Sequence, residues 1–241
     1  MLAEPPSTPY DLRFSLVGIP VRVHPLFWLV ALLLGMGPHA DPKLAMLWVA
    51  VVFVSVLVHE MGHALVARGF GYQPRITLHG FGGLASYQPT HYDPLRQITI
   101  AAAGPAAGFL FAALMVALLA AGGYEAMLLR WTILPGKPIL NLYLLVMVHD
   151  LLLVNIFWGL INLLPVLPLD GGQIARDILL RIRPRNAIPT AYQLSMVTAA
   201  ALAVVSLVRL NSFFMCLFFG YLAYGSFVTW QAYQRGGFGG R

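Results

Sequence analysis

Residues 44–68 read LAMLWVAVVFVSVLVHEMGHALVAR. At 1.5 Å of rise per residue, so long an apolar run is enough to cross a bilayer as one helix. Two histidines and a glutamate interrupt it near its end. On a helix, positions four apart point in nearly the same direction, so His59 and His63 can grip one metal ion. Glu60 falls between them, placed to hold a water rather than to ligate. Such groups are costly in lipid, which makes their presence there a functional signal. About a hundred residues on, a second apolar run, LYLLVMVHDLLLVNIFWGLI, ends in NLLPVLPLDGG at residues 162–172. The pairing of the two stretches implies metal-dependent hydrolysis inside a membrane.

Composition agrees with the membrane setting. The chain is 59% hydrophobic and 10% charged, with a mean hydropathy of +0.76. A soluble domain would carry roughly 25% charged residues. At 241 residues the chain suits one integral-membrane domain over 1–241. Its core spans 44–173, and two further helices fall within 191–232. The lone Cys216 excludes an internal disulfide framework and a cysteine-based zinc site. Any metal must therefore be held by histidine and carboxylate. The net charge of +6 is spread along the loops, which speaks for membrane orientation and against nucleic acid. The polar, proline-containing start is not that of a cleavable signal peptide.

Six hydrophobic segments follow one another, at 25–37, 44–67, 98–122, 139–164, 191–208 and 212–232. The first holds only about a dozen apolar residues, short for a span. Residues 14–23 (FSLVGIPVRV) and 75–87 (RITLHGFGGLASY) alternate like strands or hairpins. The fold expected is an all-α polytopic membrane protein with about six transmembrane helices and short membrane-associated strands. The tail GGFGGR is expected to fray.

The basic residues orient the six spans. Arg13, Arg22, Arg68, Arg75, Arg96, Arg176, Arg181, Arg183, Arg185, Arg235 and Arg241 fall on one side. Lys43, Arg130, Lys137 and Arg209 fall on the other. The positive-inside rule then places both termini in the cytoplasm. His59 lies roughly 13 Å below the cytoplasmic end of its helix, and the second motif ends its span on the same side.

Catalytic zinc usually keeps three protein ligands and leaves a position for water. Among nine carboxylates, Glu60 serves as the base. Glu4, Asp11, Asp41, Asp93 and Glu125 fall in polar or loop segments. Asp150 lies a dozen residues before Asn162, towards the opposite leaflet, and forms with His149 a buried polar pair or an outer-side contact. Asp177, among basic residues, is expected to pair with an arginine. Asp170 is the best remaining ligand. Pro165 and Pro168 break the helix before it, and Gly171 and Gly172 let backbone approach closely. Unwound backbone at membrane depth is tolerated where it lines a protein-enclosed or watered cavity.

HEMGH, FGGLA at 81–85, AAAGPAAGF at 101–109 and NLLPVLPLDGGQ at 162–173 together resemble the site-2 protease family of intramembrane zinc metalloproteases, peptidase family M50. The resemblance implies a zinc metalloendopeptidase that cuts transmembrane segments of partner proteins in the bilayer, in regulated intramembrane proteolysis. It implies one zinc per chain, ligated by His59, His63 and Asp170, with Glu60 activating water. It further implies that Gly82 and Gly83 belong to a membrane-associated strand at the active site, and that Asn162 helps hold the substrate backbone. No insertion suits a PDZ domain and no CBS pair follows the last span. The compact chain suggests a bacterial cytoplasmic membrane.

Blander readings stand beside these. Asn162 could merely cap its helix end, Gly82 and Gly83 could form a simple turn, and AAAGPAAG could serve helix packing. His24, His39, His79 and His91 read as loop or interfacial residues. A metal transporter would place ligands on several spans. A catalytically dead scaffold would not need Glu60.

Overall fold

The computed structural model describes residues 5–36, 41–80, 82–89, 92–129 and 131–235. The tail GGFGGR, His39, His91 and Phe81 of FGGLA lie outside the described residues. Seven helices and six strands are formed among the described ones. The chain opens with β1 (Leu12–Leu16) and β2 (Ile19–Val23), then α1 (Pro25–Met36) and α2 (Pro42–Gly69). β3 (Arg75–His79) and β4 (Gly82–Ser86) precede α3 (Pro94–Gly122). β5 (Ala126–Leu128) and β6 (Trp131–Leu134) precede α4 (Leu142–Asn162). Helices α5 (Asp170–Ile182), α6 (Ala187–Val208) and α7 (Phe213–Arg235) complete it.

Five helices, α2, α3, α4, α6 and α7, are long and apolar enough to cross a membrane. α1, with 12 residues, is a shorter apolar helix, as its segment length led one to expect. The helix ends follow local chemistry. Asp41 caps α2 by accepting from the Lys43 amide at 2.9 Å, and Pro42 takes a first-turn position where no N–H is needed. At its other end the chain turns at Gly71, whose φ of +85° suits glycine, and Arg68 sits in the last turn beside the exposed carbonyls. Asp93 and Asn141 cap α3 and α4 in the same way, at 3.0 Å each.

Two compact units emerge from the packing. One holds β1–β4, α1, α2, α3 from Ala103 onward, the β5–β6 hairpin and α4 as far as Leu160. The other holds the start of α3 up to Ala102, the chain from Ile161, and α5, α6 and α7.

In the first unit, four strands form a sheet in the order β1-β2-β3-β4, antiparallel at both edges and parallel between β2 and β3. Alternation sends Ile19, Val21, Val23, Ile76 and Leu78 to one face. There they form a core with Phe27 of α1 and with Val56, Met61 and Ala64 of α2. Met61 lies within the HEMGH motif, so the sheet packs on the helix segment that carries it. Burying five such side chains stabilises this contact by about 1.5–3 kcal/mol each. A second core joins Ala112 of α3, Ala126 of β5 and Val148 and Leu152 of α4. The β5–β6 hairpin lies in a connection for which no strand was expected.

In the second unit, α6 and α7 pack together around Ala199, Ala203, Phe219 and Leu222. The Pro-rich loop after α4 is fastened to them. Val166 is fully buried in that core, and the Leu167 amide donates to Ser195 Oγ at 2.8 Å, which meets Ser226 Oγ at 2.7 Å. The Leu167–Pro168 peptide is cis. α5 is amphipathic, with an apolar and a charged side.

Candidate metal centre

His59, Glu60 and His63 lie on α2 and are all buried, at 3%, 5% and 7% exposure. One ligand atom from each comes within 4.8 Å of the others. The two imidazoles meet at 3.2 Å between their Nε2 atoms, with their rings nearly perpendicular. Two nitrogens on one tetrahedral zinc at 2.0–2.1 Å stand about 3.3 Å apart. The histidine pair therefore has the spacing that a shared zinc requires.

Neighbouring glycines clear the space around this triad. A Cβ on Gly104 of α3 would stand 2.1 Å from His63 Nε2 and 2.8 Å from His59 Nε2. Only a glycine leaves that side of the nitrogens open while letting the helix pass so near. A Cβ on Gly62 would stand 2.4 Å from the Ala103 carbonyl, so α2 and α3 touch backbone to backbone here. On the other side, a Cβ on Gly83 of β4 would fall 2.3 Å from Glu60 Cγ and 2.4 Å from its Oε1. Gly82 has φ +119°, which makes glycine the fitting residue there. Gly82 and Gly83 pair with His79 and Leu78 of β3. They are strand residues and not a simple turn, and they bring the terminal strand of the sheet onto the glutamate. These residues fit a metal held by two imidazoles, with a carboxylate beside it. A third ligand from the protein would complete it.

Asp170 and Asn162 belong to the other unit. Asp170 is the first residue of α5 and is buried, at 7% exposure. A Cβ on Gly171 would stand 2.1 Å from the Leu163 carbonyl, and one on Gly172 would stand 2.5 Å from the Leu167 amide nitrogen. The two glycines thus let the 163–169 loop fold back over the start of α5, which is the close backbone approach the sequence suggested. Asn162 ends α4 and is also buried.

Two other helix carboxylates, Asp177 and Asp150, have partners of their own. Asp177 pairs with Arg176, at 2.8 Å from Nε and 3.2 Å from a terminal nitrogen, and also accepts from the Tyr92 hydroxyl. Burial and that bond to Asp177 push the Tyr92 phenol up to about 12. His149 Nδ1 meets Asp150 Oδ1 at 3.1 Å, a polar pair with the carboxylate buried.

Sequence reasoning missed two features. Gly104 was taken for a packing glycine, and its packing partner proves to be the histidine pair itself. Its place before Pro105 on an otherwise Ala-rich helix was the available signal. Asn155 was not singled out. It donates from α4 to Ser55 Oγ at 2.9 Å, tying α4 to α2 one turn before His59, and to the Leu151 carbonyl at 2.8 Å. A polar residue facing another at span depth was the clue.

A membrane-type helix thus carries a buried His-Glu-x-x-His constellation, cradled by glycines and a strand, in which two imidazoles can share a metal with a carboxylate beside it. The sequence profile described as peptidase family M50 matches residues 47–130 and 136–206, and the chain belongs to that family. It is 34% identical over 182 residues to a Synechocystis sp. protein, covering 70% of this chain and 44% of that one. It is 30% identical over 173 residues to a protein of Methanocaldococcus jannaschii named a zinc metalloprotease, covering 70% and 46% respectively. Stage IV sporulation protein FB of Bacillus subtilis is 29% identical over 158 residues, or 64% of this chain and 46% of its own length. The chain thus spans less than half the length of these relatives. Among solved structures, the site-2 protease from Methanocaldococcus jannaschii has the same fold, with a TM-score of 0.59 over 90% of this chain and 94% of that one, at 24% identity.

Proposed function

We propose that this chain is a zinc-dependent endopeptidase that cleaves peptide bonds within or beside the transmembrane segments of other membrane proteins. The carrying observation is the buried α2 triad, with Gly104 clearing its imidazole nitrogens and Gly83 its carboxylate. Zinc, when bound, supplies a Lewis acid for the scissile carbonyl and acidifies water towards neutrality. His59 and His63 would hold it, and we assign the third ligand to Asp170 because its short helix starts beside the helix-breaking prolines at a buried position. The Glu60 carboxylate accepts a proton from the attacking water and later returns it to the leaving nitrogen.

A substrate helix hides its carbonyls in its own hydrogen bonds and must unwind before attack. β4 ends the sheet order and lies against Glu60, which supports pairing of the unwound segment along its outer edge. Asn162 is assigned a hydrogen bond to the substrate backbone. The arginine distribution supports both termini facing the cytoplasm, and the Synechocystis and Bacillus relatives support a bacterial cytoplasmic membrane.

The test is cleavage by the purified chain in detergent of a model single-span protein, with products mapped by mass spectrometry. The proposal expects a cut within or next to the apolar segment, abolished by a chelator and restored by zinc. A chain that moves metal across vesicles but cuts nothing would support a transporter instead.

A further inference from the structure

The outward face of the four-stranded sheet carries charge that the proposed chemistry does not use. With Val21, Val23 and Ile76 turned to the core, Arg13, Arg22, Arg75 and Thr77 share the opposite face. Arg13 stands directly across from Arg22, and Arg22 lies beside Thr77, with Arg75 two residues along β3. Like charges facing each other across strands repel. Asp11 offsets part of this, at 3.2 Å from Arg22 Nη1 and 3.7 Å from Arg13 Nη2. Its carboxylate also accepts from the Thr8 amide at 3.1 Å and the Thr8 hydroxyl at 2.7 Å, and it is fully covered. Arg22 donates in addition to the Pro5 carbonyl at 2.9 Å. One arginine is thus committed to pinning the leading segment, while Arg13 keeps 60% of its side chain exposed.

Between that segment and the sheet runs an open groove of about 500 Å³. Pro5, Ser7, Arg13, Pro20, Arg22 and Arg75 are among its lining residues, so guanidinium, hydroxyl and apolar surface meet in one place. The β1–β2 turn is held at the C-terminal end of the α2 span, where Arg68 donates to the Val17 carbonyl. That turn is therefore level with the end of α2, and the strands run back along the helix towards Glu60. We propose that this groove binds the phosphate of an anionic phospholipid, with Arg13 and Arg75 taking the phosphate oxygens and Pro5 and Pro20 contacting the glycerol and first methylenes. A free phosphate would use the guanidiniums alone and leave the apolar lining without a role. The inference rests on α2 being a membrane span, not on peptidase activity.

Native mass spectrometry of the full chain released from neutral detergent tests it, with phosphatidylglycerol, phosphatidylcholine and inorganic phosphate titrated separately. Phosphatidylglycerol is expected to bind first and to exceed phosphatidylcholine. Each guanidinium near an anionic headgroup is worth about fivefold, so R13Q/R75Q should lose affinity about 25-fold. R13K/R75K should retain much of it, which separates lost charge from lost folding. R181Q/R183Q, altering exposed arginines elsewhere, should bind within twofold of wild type. Equal phosphatidylglycerol binding by R13Q/R75Q and wild type would overturn the site. Inorganic phosphate matching the lipid in wild type, and lost in R13Q/R75Q, would keep the anion chemistry but overturn the lipid as its source. An acidic peptide displacing the lipid at equal concentration would overturn it in favour of a protein ligand.

Discussion

Replacing Gly104 with alanine tests the packing of α3 on the histidine pair. The new methyl would sit 2.1 Å from His63 Nε2 and 2.8 Å from His59 Nε2. Ordinary contact lies near 3.5 Å, so something must move by about 1.4 Å at the tighter pair. If α3 yields, the backbone contact between Gly62 and the Ala103 carbonyl is opened. If the imidazole swings away instead, it exceeds the roughly 0.2 Å tolerance of a metal–ligand bond several-fold. Overpacking itself costs about 1–3 kcal/mol. Zinc affinity should fall by at least about 100-fold, at the upper end of what changes around a metal's ligands produce. The assay is zinc competition against a chelator of known affinity, on protein whose helicity and elution volume match wild type. Gly108→Ala is the control, one turn along the same helix, where the nearest atom would be 3.3 Å away. It should bind zinc within about threefold of wild type. A folded Gly104→Ala protein with wild-type zinc affinity would refute the placement of α3 against the histidines.

Three further outcomes are expected. Gly83→Ala puts a methyl 2.3 Å from Glu60 Cγ without touching the histidines, so peptide cleavage should fall on the order of 100-fold while zinc content holds. Asp177→Asn leaves the largely buried Arg176 without its counter-charge and should cost about 3 kcal/mol, read as a lowered unfolding midpoint, with no change in zinc stoichiometry. The Thr8 hydroxyl bond, against an opposing effect of burial and aided by Arg22, holds the Asp11 carboxyl near 2, below its ordinary 3.8. Its contribution is therefore complete above about pH 4 and is lost as pH falls towards 2. Carbon-detected NMR of labelled aspartates should find one carboxyl titrating near 2, and Asp11→Asn should remove that signal.

Much of the architecture was legible because membrane helices announce themselves by length and hydropathy. The segments 44–67, 98–122, 139–164, 191–208 and 212–232 correspond to α2, α3, α4, α6 and α7 within a few residues. The strands at 14–23 and 75–87 were readable from their alternation, since one face meets a core. The β5–β6 hairpin was not, because AML and WTIL are too short to show a period. α5 stands outside the hydrophobic segments because charged residues interleave its apolar ones. In the site, His59 and His63 were legible because four-residue spacing aligns them on one helix face. The part played by Gly104 was not, since which atoms a glycine makes room for is decided by a neighbouring helix.

The most direct measurement is zinc stoichiometry and cleavage rate on the same preparations of wild type, Glu60→Gln and Asp170→Ala. One zinc per chain is expected in wild type, with Glu60→Gln keeping its zinc and losing cleavage by 10²–10⁴-fold, and with Asp170→Ala losing zinc affinity. Zinc absent from wild type, or held equally well without Asp170, would contradict the assigned site.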